Sequence, residues 1–163
     1  MVEPALALFG ATYEKASAVL EEMLRESNAR YALLLDRKGF VLVHKEALWA
    51  PRPPALDSLA TLIASNAAAT QALAKMLGEP KFNELLHQGS QYGIYAEEVG
   101  DLALLVVIFD KDAPVGRIKL FGKKSAQSLE AIAKEALVDP KTLGIDRGYQ
   151  AEAADLLDEL FGK

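Results

Sequence analysis

Gly116, Gly122 and Lys124 approach the spacing of a phosphate-binding loop, in which glycines let backbone N–H groups cradle phosphate and a Lys-Ser/Thr pair completes the site. Here five residues separate the two glycines, and Lys124 stands where Ser or Thr is required. The stretch also lies within a helical pattern, whereas such a loop follows a strand and opens a helix. Gly89-Ser90-Gln91-Tyr92-Gly93 is not a nucleophile elbow, because that turn needs its serine between two glycines at alternate positions. His44 and His87 are the two histidines, each alone in a strand-like segment, and read as structural or surface residues. Asp110-Lys111-Asp112 lacks the rest of a calcium loop, and Glu97-Glu98 with Asp101 reads as a solvated turn. No catalytic site, cofactor or metal is therefore expected, and function has to come from surfaces.

Composition bounds those surfaces. The 163 residues carry a net charge of −5, so the chain repels phosphate backbones and nucleic acid is not an expected partner. There is no cysteine, which excludes disulfides and thiolate metal sites. Met1-Val2-Glu3-Pro4 has no basic stretch of a signal peptide, and the longest apolar run, Leu102 to Phe109, is too short to span a bilayer. A cytoplasmic protein without membrane insertion is expected.

The elements that must position any interaction surface follow from periodicity. Leu6, Phe9, Tyr13, Leu20 and Leu24 recur near helical spacing from Pro4 to Ser27-Asn28. Two strand-like runs then flank Asp36-Arg37-Lys38-Gly39, a hairpin turn whose glycine adopts positive φ without steric cost. Leu33, Leu34 and Leu35 are consecutive, which predicts a strand covered on both faces. Pro51, Pro53 and Pro54 impose a stiff loop. Asp57 or Ser58 is placed to cap a second helix that runs to about Leu77 and stops at Gly78-Glu79-Pro80. Three strands are predicted over Phe82–Gln88, Gln91–Val99 and Leu102–Phe109, with turns tight enough to make them antiparallel. A third helix extends from near Pro114 to about Leu137, weakened by Gly122. It ends at Asp139-Pro140.

The order α-β-β-α-β-β-β-α gives an α/β (α+β type) fold: a five-stranded antiparallel sheet with helices on both faces. The Leu33–Gly39 hairpin, the small-residue second helix and the Tyr92–Phe109 hairpin, in that order, resemble the Roadblock (dynein light chain) domain family. The chain divides into a Roadblock domain over 1–138, a linker over 139–148 and an amphipathic C-terminal helix over 149–163. The long first helix, the Ala-rich second helix and the extra C-terminal helix are similar to the bacterial branch of that family that partners a Ras-like polarity GTPase. The resemblance implies a homodimer with joined edge strands and adjacent second helices. It implies activation of a small Ras-like GTPase (MglA-like), with recruitment to a cell pole through partners and a role in polarity and gliding motility.

The residues set out the candidate surfaces. At helical spacing, Leu59, Leu62, Ile63, Asn66, Thr70, Leu73 and Leu77 are expected to face the sheet. Asp57, Thr61, Ala64, Ala68, Ala72 and Lys75 then lie opposite, on a face unusually poor in charge. That smooth face is either a docking surface or only the mark of a good helix former. The resemblance assigns Thr61, Ala64, Ala68, Gln71, Ala72 and Lys75 to the GTPase. Phe82, Glu84, Leu85 and Leu86 form an edge strand with few blocking charges, expected to pair across the dimer together with Ala67. The stripe Leu156, Leu157, Leu160 and Phe161 of the last helix either packs on its own domain or contacts the partner a second time. Arg37, Arg52 and Arg117 are the candidates for an arginine finger. The prolines around Arg52 oppose insertion, and the resemblance implies activation by reshaping the GTPase's switch loops instead. A non-catalytic scaffold built on the same surfaces is the alternative, and a small-molecule sensor fits less well, since no polar cluster lines a predicted pocket.

Overall fold

A computed structural model of the chain describes residues 6–138. Its elements are α1 (Ala11–Ser27), β1 (Tyr31–Asp36), β2 (Val41–Glu46), α2 (Leu56–Met76), β3 (Glu84–Gln88), β4 (Tyr92–Val99), β5 (Ala103–Asp110) and α3 (Val115–Val138). The five strands form one antiparallel sheet in the order β2-β1-β5-β4-β3. The expected element order and sheet are therefore present, and β2 and β3 are its two edges.

Strand alternation divides the core into two layers. Leu34, Tyr95, Val99, Leu105 and Val107 pack with Leu20, Met23, Ile118 and Leu129 beneath α1 and α3. Leu33, Leu35, Leu104 and Val106 pack with Ala60, Ile63 and Ala67 beneath α2. Leu33, Leu34 and Leu35 are all fully buried, each worth about 2–3 kcal/mol of burial. The expectation of a strand covered on both faces holds.

The hairpin turn is tied by the Asp36 carboxylate, whose Oδ1 accepts the N–H groups of Lys38 and Phe40, both at 2.9 Å. Gly39 has φ 96°, and a Cβ there would lie 3.1 Å from both Ala64 Cβ and Thr61 Cα. Glycine thus serves the turn and lets α2 cross it closely.

Several boundaries differ from the sequence reading. The helix expected from Pro4 begins at Ala11, because Gly10 takes a non-helical φ of 53°. Leu6 is buried ahead of it, outside any regular element. Neither Asp57 nor Ser58 caps α2: Ala55 stands at that position without a side-chain bond, and Leu56 starts the helix by packing on the sheet. At the other end Gly78 (φ 75°) donates to Lys75 O and Glu79 to Ala74 O, the paired closure expected of a C-terminal glycine. β3 starts at Glu84 instead of Phe82, whose carbonyl accepts from Gln71 Nε2 of α2. Gly122 is not simply a weak point. A Cβ there would meet Tyr95 Cε1 at 2.4 Å, so its absence lets α3 lie against the sheet.

The phase of α2 is the main correction. Its buried residues are Ala60, Ile63, Ala64, Ala67 and Ala74. Leu62, Leu73 and Leu77, expected against the sheet, are 68%, 56% and 72% exposed. Ile63 and Leu59 do pack on the sheet as expected, but along the rest of the inner face close approach selects alanine and leaves Leu62, Asn66, Leu73 and Leu77 outside.

Candidate partner-docking site

The outward surface of α2 has two flanks. Helical geometry puts Leu62, Asn66, Leu73 and Leu77 on one, with Met76 beside them, and Thr61, Ala68, Ala72 and Lys75 on the other. Every one of these residues is exposed. The second flank lies beside the Asp36–Gly39 turn, where Phe40 is 66% exposed. A run of large apolar side chains left in water marks an interaction surface.

Of the residues assigned to a GTPase, Thr61, Ala68, Ala72 and Lys75 therefore lie together on the surface. Ala64 and Gln71 do not. Ala64 is buried against the Gly39 turn. Gln71 turns inward, donating to Phe82 O at 3.0 Å and to Glu98 Oε1 at 2.9 Å. Ala67, assigned to the dimer, is buried on the sheet-facing side of α2 and is no surface residue. Among the other dimer candidates, Leu85 packs toward α2 and Leu86 toward α3, both partly buried. Phe82 precedes the strand, and Glu84 opens it. The stripe at Leu156, Leu157, Leu160 and Phe161 lies outside the described residues, as does the linker.

Three charged groupings hold this surface. The Glu98 side chain is largely covered on the α2 side, bonded to both Gln71 and the Arg37 guanidinium of the hairpin turn. It ties α2, β4 and the β1–β2 turn together. On the opposite face the buried Tyr95 hydroxyl donates to Glu97 Oε2, and Glu84 stands across from Glu97 in the β3–β4 register. Burial pushes the Glu97 carboxyl above its ordinary range. The Tyr95 hydroxyl bond lowers it and the facing Glu84 raises it; Lys123 lowers it and Glu98 raises it, and the net direction is upward. Burial, then Glu97, also push the Tyr95 phenol upward. At the far end of the sheet Arg30 Nε donates to Asp110 Oδ2 at 2.7 Å, with its guanidinium over the rings of Trp49 and Tyr92.

The reading of Glu97-Glu98 as a solvated turn is therefore overturned. The turn begins after them, and the two acids, adjacent in a strand, point to opposite faces of the sheet, Glu97 buried and Glu98 partly buried with its side chain largely covered. Period-two alternation from Tyr95 would have found them. His44 and His87 are exposed and separate, and no three His, Asp or Glu among the described residues are grouped to hold a metal. No helix among the described residues is long and apolar enough to cross a membrane. A groove of about 530 Å³ runs between α1 and the end of β2, lined by Glu21, Arg25, Lys45, Leu48 and Trp49, with charges of both signs.

Known proteins share this architecture. The Roadblock/LC7 domain family matches residues 15–109. The gliding protein MglB from Thermus thermophilus is 64% identical, with a TM-score of 0.79 over 82% of this chain and 99% of its own. An MglB structure described as having a tetrameric arrangement is 66% identical, with a TM-score of 0.80 over 83% of this chain and 99% of its own. Myxococcus xanthus MglB is 32% identical, with a TM-score of 0.69 over 76% of this chain and 98% of its own. No curated protein matches. The chain belongs to the Roadblock/LC7 family, and the relatives it is most fully matched to above are MglB proteins.

Proposed function

We propose that this protein is a homodimeric activator of a small Ras-like, MglA-like GTPase, acting in the cytoplasm, recruited to a cell pole through its partners and serving cell polarity and gliding motility. The observation that carries this reading is the exposed outward face of α2 beside the open β3 edge, in a chain about two-thirds identical to MglB. The β3 edges of two copies pair about a two-fold axis, and the flank of Leu62, Leu73 and Leu77 packs against its counterpart. The flank of Thr61, Ala68, Ala72 and Lys75 then meets the switch region of the GTPase. Residues 1–138 form the docking core, 139–148 a tether and 149–163 a second contact through Leu156, Leu157, Leu160 and Phe161.

The activator has no catalytic site of its own. It selects a switch conformation in which the GTPase's own residues are aligned. The placement of the arginines supports this over an inserted finger. Arg37 is already paired to Glu98, and Arg52 sits among prolines. Arg117 lies on α3, across the sheet from α2.

The test is single-turnover GTP hydrolysis by the cognate GTPase with and without this protein. The native chain should accelerate it. Ala68→Arg with Ala72→Arg should remain dimeric and fail to bind, while Leu62→Arg with Leu73→Arg should lose the dimer. Binding without acceleration would instead make the protein a scaffold. Full acceleration by both double variants would remove α2 from the site.

A further inference from the structure

The β3 edge rests on an arrangement that neither the dimer nor the GTPase reading explains. Glu84 and Glu97 are direct cross-strand partners, and like charges so placed oppose strand pairing. Glu97 is buried, with one carboxyl oxygen committed to the Tyr95 hydroxyl. Glu84 Oε2 is buried and has no hydrogen-bond partner among the described residues. The groups around the pair are few. From α3, Lys119 Nζ lies 3.4 Å from Glu84 Oε1 and Lys123 Nζ 3.9 Å from Oε2. From β4 there are Tyr95 and the neighbouring Glu98, which points to the other face, and from β5 the register partner of Glu97 is the apolar Leu105. Lys119 reaches Glu84 Oε1 and Lys123 lies beyond hydrogen-bond distance of Oε2; Lys123 opposes the upward shift of Glu97 but does not outweigh burial. Tyr95 in turn is locked from behind by α3 at Gly122.

We propose that Glu97 carries a proton which it donates to Glu84 Oε2, and that loss of this proton loosens β3, making the sheet edge used for dimerisation a pH-responsive element. The inference rests on the dimer-edge reading only for its consequence; the proton bridge itself belongs to the single chain. With Glu97 neutral, the orphaned Glu84 oxygen gains a donor and the cross-strand repulsion vanishes. With Glu97 ionised, two carboxylates face each other across the outermost strand pair, at a place where the sheet has no further strand to hold it. The sign follows from the direction of the Glu97 shift. A carboxyl raised by folding stabilises fully below its ordinary value, and that stabilisation is lost as pH rises through the raised value.

The experiment is amide hydrogen exchange of the full chain from below the ordinary carboxyl value, about pH 4, to about pH 8, corrected for the intrinsic pH dependence of exchange. Protection of the β3 amides, Glu84 to Gln88, should fall by up to about tenfold per pH unit as pH rises from the ordinary carboxyl value through the raised one, while β1 stays unchanged. Glu97→Gln keeps a donor without the charge and should remove the dependence. Glu84→Gln removes the facing charge but not the burial of Glu97, and should make the dependence shallower than in the native chain, which covers failure of the first variant to fold. Constant β3 protection in the native chain, or the same slope in both variants, overturns the proposal. Light scattering on the same samples separates the two readings. A chain that is monomeric throughout but shows pH-dependent β3 protection keeps the proton bridge and refutes the dimer edge. A dimer whose dissociation ignores pH, with flat β3 protection, refutes the bridge alone.

Discussion

Gly122→Ala pits helix propensity against packing. Gly122 lies in the interior of α3, where alanine is worth about 1 kcal/mol more than glycine by propensity. The added Cβ would lie 2.4 Å from Tyr95 Cε1, 3.1 Å from Cδ1 and 3.2 Å from Cζ. At such a distance something must move. Tyr95 is fully buried and its hydroxyl is fixed on Glu97, so the ring has no free direction. α3 must lift instead, at the expense of Ile118 and Leu129, both fully buried under the same face. Overpacking of this kind costs about 1–3 kcal/mol, and a displaced helix places the cost near the upper end. Net of propensity, the variant should be less stable by about 1–2 kcal/mol.

Urea unfolding at fixed protein concentration reads this out, followed by far-UV circular dichroism and by Trp49, the only tryptophan of the chain. Gly116→Ala is the control. It lies in the same helix, and a Cβ there meets nothing within 4 Å, so it should be neutral or slightly stabilising. A Gly122→Ala protein as stable as the control, or more so, would refute the packing argument, because propensity would then have won with Tyr95 unmoved.

Ala64→Arg should unfold the domain or detach α2, as circular dichroism and exchange of the α2 amides would show, because it forces an unpaired charge between α2 and the Gly39 turn. Arg52→Ala should keep GTPase activation to within about tenfold in single-turnover hydrolysis, against the thousandfold or greater loss of a true finger. Asp110→Asn should flatten the acid limb of stability. Burial raises the Asp110 carboxyl, but Arg30 and the Asp112 N–H outweigh it, so the net shift is downward and its stabilisation is lost as pH falls through the lowered value. Parallel acid-unfolding curves for variant and native chain would refute that sign. Removing the residues after Pro140 should leave a folded dimer while weakening the GTPase complex or altering nucleotide release, measured by titration and by release of a fluorescent nucleotide.

The fold was legible wherever one local rule decided the outcome. Three consecutive leucines require a strand covered on both sides, and Asp36 to Gly39 contains both the side-chain acceptor and the glycine that its turn uses. Gly78 closes α2 as its position predicts. The phase of α2 was not legible, because apolar residues occur all around that helix. Assigning the larger ones to the core is the ordinary inference, and here it fails for a physical reason. The sheet accepts α2 only at a separation that alanine allows, so Ala60, Ala64, Ala67 and Ala74 go inside and Leu62, Leu73 and Leu77 stay in water. Four alanines inside and three leucines in water support the proposed partner contact of α2.

The two acids of β4 show the same separation of local from distant information. Glu97 and Glu98 stand just ahead of a Gly-Asp turn and read by composition as part of it. In an edge-proximal strand, neighbours face opposite layers, and each acid side chain survives removal from water only through groups brought from elsewhere. Glu98 depends on Gln71 and on Arg37, 27 and 61 positions away in the chain. Glu97 depends on a tyrosine two positions away and on the neighbouring strand's Glu84, with α3 pressing from behind. One acid therefore anchors the helix that carries the docking surface, and the other sits under the strand that forms the sheet edge. Both surfaces of the proposed activator are fixed from β4, so a change at either glutamate should reach the adjoining interface without touching a partner-facing residue.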